Sequence, residues 1–284
     1  MNLRVERELG VLGAELSGVD LSQPLDGDTQ KEIVNAWLKY QVIVFRNQAL
    51  SDEQLVRFSQ SFGVLEKAPI PEKAVGVASI PRLPEVTVVS NVIENGAPLG
   101  ALGDGELTWH SDMTYVETPP PASILYSVEV PPFGGDTWFS NMYQAFEALP
   151  QAVKNQISRL RAKHNSTYTS AGTLRRGFEE VVDVSKAPGA LHPIVLVHPE
   201  TQKPALYLGR RLNSSIPGLS LSESESLLDE LWTYAEDPKF SIAHQWKKGD
   251  IVMWDNRAVM HRRDAFDPKV RRILHRTQLL TFNA

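Results

Sequence analysis

The pair His110-Ser111-Asp112, with His261 far downstream, constrains the fold more than any other feature of this chain. Two imidazoles and one carboxylate can occupy one face of an octahedral metal and leave the opposite face open, a donor set that suits Fe(II). In extended backbone, residues i and i+2 project from the same face. His110 and Asp112 are therefore expected to point together, with Ser111 turned away. His261 can join them only if its segment lies beside theirs, so the fold has to pair strands drawn from distant parts of the chain. Alone, a His-x-Asp pair is a weak signal, because most such pairs are surface ion pairs.

Composition narrows the remaining choices. The chain has 284 residues, 42% hydrophobic and 22% charged, with a net charge of −5 and no cysteine. Thiolate metal sites, disulfides and cysteine nucleophiles are excluded. No basic block or aromatic-basic interleaving is present, which argues against nucleic acid as a partner. Neither a signal-peptide apolar segment near Met1 nor a membrane span is found. The expectation is a cytoplasmic enzyme.

Local patterns outline the architecture. Thr29 to Tyr40 has helical spacing of Ile33, Ala36, Trp37 and Tyr40, and Val42 to Phe45 follows as a buried strand. Ser51 and Gln54 form a capping-box signature for a helix ending near Gly63, and Ser222 with Glu225 signals another over Ser222 to Tyr234. Strand patterns occupy Ala122 to Val130, Thr137 to Ser140, Pro193 to Val197 and Ala205 to Leu208. Others occupy Phe240 to Gln245, Asp250 to Trp254 and Arg272 to Phe282. Many short strands and few helices predict one α+β domain over 1–284 with a mainly β core, a barrel or sandwich. Two irregular stretches, 66–105 and 165–189, are candidate active-site loops.

The last strand carries the second chemical signal. In Arg271-Arg272-Ile273-Leu274-His275-Arg276, alternation puts Arg272, Leu274 and Arg276 on one face. Two guanidiniums on an otherwise apolar strand invite an anion through paired hydrogen bonds. His164, His192, His198, His244 and His275 are assigned to packing or ordinary hydrogen bonding.

With these residues in hand, the chain resembles the taurine/2,4-dichlorophenoxyacetate dioxygenase family of Fe(II)- and 2-oxoglutarate-dependent oxygenases, over roughly residues 8 to 280. The resemblance is carried by Gly13-Ala14-Glu15-Leu16-Ser17-Gly18-Val19-Asp20-Leu21, Trp109-His110-Ser111-Asp112 and Gly134-Gly135-Asp136-Thr137. It continues through Trp254-Asp255-Asn256-Arg257 with His261 and the final arginine-rich strand. It implies a double-stranded β-helix, or jelly roll, flanked by helices. It makes His110, Asp112 and His261 the iron ligands and assigns Thr137 and Arg272 to 2-oxoglutarate, with Arg272 on its distal carboxylate. Arg276 falls to the substrate's acidic group or the cosubstrate. It also implies O2 as the second cosubstrate, hydroxylation of a C–H bond with release of succinate and CO2, and a homodimer or homotetramer. A carboxylate at position 112 leaves no ligand position for a halide, which favours hydroxylation over halogenation.

Substrate residues depart from the taurine-using pattern. Leu65-Glu66-Lys67-Ala68-Pro69 lacks a histidine and a nearby tyrosine expected for sulfonate recognition, and Glu106 stands where an asparagine is expected. A carboxylate there repels a second anion or binds a cationic group. The substrate is expected to be a small carboxylate, sulfonate, sulfate ester or phosphonate, met by Arg276, Glu106 and Met113. Tyr115 and Trp138 are further candidates for apolar lining. Two other readings share the donor set: a Zn(II) hydrolase, which has no need of Thr137 and Arg272, and an oxoacid sensor without turnover.

Overall fold

A computed structural model describes residues 3–67, 83–105, 107–175 and 177–283. Two sheets dominate. The larger has eight strands in the order Arg4–Glu8, Ala14–Ser17, Val42–Phe45, Ile251–Asp255, Ala122–Glu129, Ile273–Gln278, Thr87–Ser90 and Ala101–Leu102. The smaller has four, in the order Ser241–His244, Thr137–Asn141, Val259–Arg263 and Leu107–His110. Most neighbours in these sheets are far apart in sequence, as convergence of His110 with His261 requires.

Alternation along the strands builds the layers. Val42 and Val44 face one way, packing with Phe139, Trp254, Val259 and Leu274 between the sheets. Ile43 and Phe45 face the other way, against the helices that carry Ile33, Trp37, Leu55 and Phe58. A third cluster lies beyond the small sheet, where Met260 meets Met142, Leu228 and Trp232. Each fully buried large apolar side chain contributes roughly 1.5–3 kcal/mol, so the sheets are held from both sides.

Local signals set most boundaries. The helix Gly27–Tyr40 starts where the Asp26 side chain accepts from Thr29 N and stops at Gln41 in the left-handed region. Asp52–Gln60 has the Ser51/Gln54 capping box. Other expectations need correction. The helix Leu221–Ala235 is capped by Ser220 with Glu223, two residues before the Ser222/Glu225 pair. Both pairs fit the motif, but Glu225 is taken by Arg211 (2.5 Å) and Ser224 faces inward to accept from Ile216 N. Pro193 to Val197 is not one strand: Gly189–Pro193 pairs with Arg161–Asn165, while Val195–Val197 pairs with Pro204–Leu206.

The stretch 66–105 is more ordered than a loop. Residues 68–82 lie outside the described residues, but 83–105 includes Thr87–Ser90 and Ala101–Leu102 in the large sheet and the pair Ile93–Glu94 with Ala97–Pro98. Its prolines and glycines mark short turns between short strands. Two helices, Met142–Glu147 and Gln151–Ile157, carry no sequence signal because each is too short for a helical period to emerge. Among the described residues, no helix is long and apolar enough to cross a membrane.

Candidate active site

His261 sits in the strand Val259–Arg263, directly opposite His110 in the neighbouring strand. The strand carrying His110 ends there, so Asp112 lies in the turn beyond it rather than in extended backbone. Ser111 is buried. Its N–H donates to Gly209 O at 3.0 Å and its hydroxyl to Val259 O at 3.2 Å. The chain then reverses through Met113, at a φ of 51°. Asn256 clamps this turn, accepting from Asp112 N at 2.6 Å and donating to Asp112 O at 2.7 Å.

One ligand atom from each of His110, Asp112 and His261 lies within 4.8 Å of the others, and all three residues are buried. His110 Nδ1 donates to Thr108 O at 2.7 Å, which leaves Nε2 with its lone pair toward Asp112. His110 Nε2 and His261 Nε2 stand 3.7 and 3.8 Å from the same atom, Asp112 Oδ1. The other oxygen, Oδ2, accepts from Ser123 Oγ at 2.7 Å and Gln278 Nε2 at 3.3 Å. One carboxylate oxygen is thus fixed by hydrogen bonds, and the other shares a small space with two imidazole nitrogens.

Charge follows the same division. Burial pushes His110 well below the usual imidazole range, helped by the charges of His261 and Arg210. Burial likewise lowers His261, against the opposing pull of Asp112. For Asp112 burial acts upward, but His261, Arg276, His110 and the Ser123 hydrogen bond together hold the carboxyl far below its ordinary range. Two neutral imidazoles beside one carboxylate form a donor set that fits Fe(II). Hydrogen bonds to Asp112 Oδ2 and His110 Nδ1 are the outer contacts that orient metal ligands.

The same pocket is lined by Thr137, Arg272, Arg276 and Met113. Trp246 Nε1 donates to Thr137 Oγ1 at 2.9 Å, leaving the threonine hydroxyl proton for another acceptor. Arg272 is 2% exposed, with its guanidinium 5.7 Å from the Phe266 ring and 5.9 Å from the Trp246 ring. Its Nη2 reaches Gly135 O at 3.3 Å, and its buried Nε has no partner among the described residues. Burial and the adjacent Arg263 push it down to about 9, so it is still a cation at neutral pH. Gly135 has a φ of 68°, and a Cβ there would press within 3.2 Å of Arg272 Nε. Arg276 Nη1 lies 3.8 Å from Asp112 Oδ1.

Other candidates fall differently. Glu106 lies outside the described residues. Tyr115 lines the pocket, whereas Trp138 does not: its indole donates to Asp264 at 2.7 Å and stacks near Arg262. The stretch 165–189 supplies Thr169, Ser170 and Arg175 to the lining, and 83–105 supplies Thr87, Val88, Val89 and Ala101. Sequence reasoning missed Ser123, Gln278 and Arg210. Ser123 and Gln278 are cross-strand partners, and polar residues inside apolar strands were their available signal.

The chain is similar over most of its length to known proteins. A family model described as "Taurine catabolism dioxygenase TauD, TfdA family" matches residues 6–278. The (S)-phenoxypropionate/alpha-ketoglutarate-dioxygenase of Delftia acidovorans is 31% identical over 280 residues, spanning 94% of this chain and 91% of the relative. The alkylsulfatase of Acinetobacter baylyi is 33% identical over 266 residues, spanning 91% and 79%. Among solved structures, a taurine dioxygenase from Burkholderia xenovorans superposes with a TM-score of 0.79 at 34% identity, covering 98% of this chain and 89% of that one. AAD-2 in complex with Mn(II) and N-oxalylglycine superposes at 0.78 and 31%, covering 98% and 97%.

Proposed function

Because this chain belongs to the taurine catabolism dioxygenase TauD, TfdA family, an enzyme family that uses Fe(II), 2-oxoglutarate and O2, we propose that it hydroxylates a C–H bond of a small anionic molecule. The observation that carries this reading is the convergence of His110, Asp112 and His261 in one pocket with Thr137 and Arg272. A Zn(II) hydrolase makes no use of that second pair, and family membership favours a catalyst over a sensor.

We infer that His110 Nε2, His261 Nε2 and Asp112 Oδ1 hold the iron. When bound, Fe(II) with 2-oxoglutarate and O2 supplies the oxidising power for hydroxylation, with release of succinate and CO2. The remaining work falls to side chains. Ser123 and Gln278 keep Asp112 aimed, and Thr108 O selects the His110 tautomer. Arg272 meets the distal carboxylate of 2-oxoglutarate through charge-assisted hydrogen bonds, and Thr137 donates its remaining proton to the same group. Arg276, beside Asp112, is within reach of either anionic partner. Holding the reactants in one orientation inside a buried pocket is the protein's main contribution to rate.

Several relatives support the substrate class. Those similar to this chain include a sulfate ester dioxygenase from Pseudomonas putida and a 2,4-dichlorophenoxyacetate dioxygenase from Cupriavidus pinatubonensis. From Leu107 to Asn141 and again from Ser241 to Gln278, successive strands alternate between the small and large sheets. This winding supports a double-stranded β-helix forming one domain.

The test is anaerobic titration of the Fe(II) protein with 2-oxoglutarate, followed by succinate release on admitting O2 across aryloxy acids, sulfate esters, sulfonates and phosphonates. A metal-to-ligand charge-transfer band and substrate-stimulated succinate are expected. A protein that develops no such band overturns the reading.

A further inference from the structure

The pocket has a second cationic wall. Arg272 and Arg276 flank and belong to the strand Ile273–Gln278 in the large sheet, and they face the pocket from that side. Arg210 enters from beside Leu107–His110, the edge strand of the small sheet. Its backbone bridges to His110, and Ser111 N donates to Gly209 O next to it, so Arg210 is held in register with the putting-together of the histidine pair. Arg175, from the stretch 165–189, lies over the Tyr115 ring at 3.9 Å. Arg210 and Arg175 both donate to Tyr168 O, at 2.7 and 3.2 Å, which draws two like charges together.

Arg210 is 8% exposed, its Nε has no partner, and no carboxylate forms an ion pair with it among the described residues. Asp112 offsets the Arg210 charge only through space, while the adjacent Arg175 opposes it, and burying a cation so placed has a cost. An anion between Arg210 and Arg175 removes it. With its distal carboxylate on Arg272 and its other carboxylate on the metal, the dicarboxylate cosubstrate leaves Arg210 and Arg175 to a different anion. Leu107, Met113 and Tyr115 border the same space and offer contact to an apolar body.

The geometry points to Arg210, assisted by Arg175, as the anchor for the acidic group of the prime substrate, which makes that substrate a monoanion with a compact apolar body. This assignment rests on the dioxygenase reading above and moves the main substrate contact from Arg276 to the other wall. Arg276 then serves the charges gathered around Asp112.

The test uses phenoxyacetate and butyl sulfate as probes, with phenoxyethanol and butanol as neutral controls. Each is titrated calorimetrically into the protein loaded anaerobically with Fe(II) and 2-oxoglutarate. Arg210→Gln is expected to weaken both acids by about 10- to 100-fold, the loss typical of a charge-assisted hydrogen bond, with 2-oxoglutarate affinity within about twofold of wild type. Arg175→Gln should weaken them less, and Arg272→Gln should show the reverse pattern. If Arg210→Gln does not fold, Arg210→Lys decides. It keeps the charge but loses the planar fork, and a drop of roughly three- to tenfold is expected. Acid binding unchanged by the Arg210 variant, lost only in Arg276→Gln, matched by the neutral controls, or absent in wild type below about 10 mM overturns the assignment. Failure of wild type to bind 2-oxoglutarate sinks the dioxygenase reading instead, so the two failures are distinguishable.

Discussion

Asp112 and Arg272 line one pocket, yet their surroundings are built on opposite plans. Asp112 is gripped from several directions: Ser123 and Gln278 hold Oδ2, and Asn256 holds its backbone on both sides. Arg272 rests near two aromatic rings, with one long hydrogen bond to Gly135 O and an Nε without a partner among the described residues. The carboxylate end is assembled by the fold itself. At the guanidinium end, only shape and position are set, and much of the hydrogen-bonding capacity is left for an anion. A metal ligand has to be aimed before the ion arrives, whereas an anion anchor gains most from donors that nothing else has used.

The contrast is breakable. Asp112→Ala or His110→Ala should abolish substrate-stimulated succinate release, and wild-type rates in either variant would remove the donor set from the reaction. Arg272→Ala should raise the 2-oxoglutarate requirement by about 10- to 100-fold with little change in Fe(II) affinity, since it deletes charge-assisted hydrogen bonds at one end only. A KM for 2-oxoglutarate that stays put refutes the anchor. Ser123→Ala should act on the other end, weakening Fe(II) binding by about 10-fold while leaving 2-oxoglutarate affinity of the metal-loaded protein nearly intact. Equal effects of the Ser123 and Arg272 variants on both ligands would erase the distinction. Gly135→Ala should produce a smaller, several-fold rise in the 2-oxoglutarate KM, because a Cβ there crowds Arg272 Nε and sits at positive φ.

A last prediction concerns stability and touches activity least. Burial, with the charges of His192 and Arg210, pushes His164 down to about 3 from an ordinary value of 6.5. A group harder to protonate when folded destabilises the fold as pH falls, because the unfolded chain takes up the proton first. The stabilisation is complete above about pH 6.5 and is lost progressively toward pH 3, by at most about 5 kcal/mol. Thermal unfolding of His164→Gln between pH 7.5 and 4.5 should show a shallower fall than wild type, and parallel curves would contradict this origin.

Much of the site was legible in sequence because its chemistry is carried by rare residue types at recognisable places. His-x-Asp, a late histidine and two arginines on one strand face are each weak, but together they restrict the chemistry sharply. Val42 to Phe45 and the Ser51 capping box were readable because period and cap are local properties. The Ser220 cap was not, since two Ser-x-x-Glu pairs compete and only the contacts of Glu225 with Arg211 and of Ser224 with Ile216 choose between them. The remaining histidines make the same point. Three of them meet a carboxylate that no ligand spacing announced: His198 lies 2.9 Å from Asp255, nearer than Glu200 two residues on at 3.3 Å, His244 lies 3.2 Å from Asp250 and His275 lies 2.6 Å from Asp52.

What the amino-acid order determined alone was the inventory: which donors exist, which strands alternate, and which residues a metal and a dicarboxylate could use. Tertiary structure decided which of these meet. Only cross-strand pairing sets His261 opposite His110, lays Gln278 beside Ser123 to hold Asp112, and brings Arg210 to the wall facing Arg272. The reason is physical: side-chain type and backbone period are encoded within a few residues, whereas register between distant strands is settled by burial on both faces of a sheet.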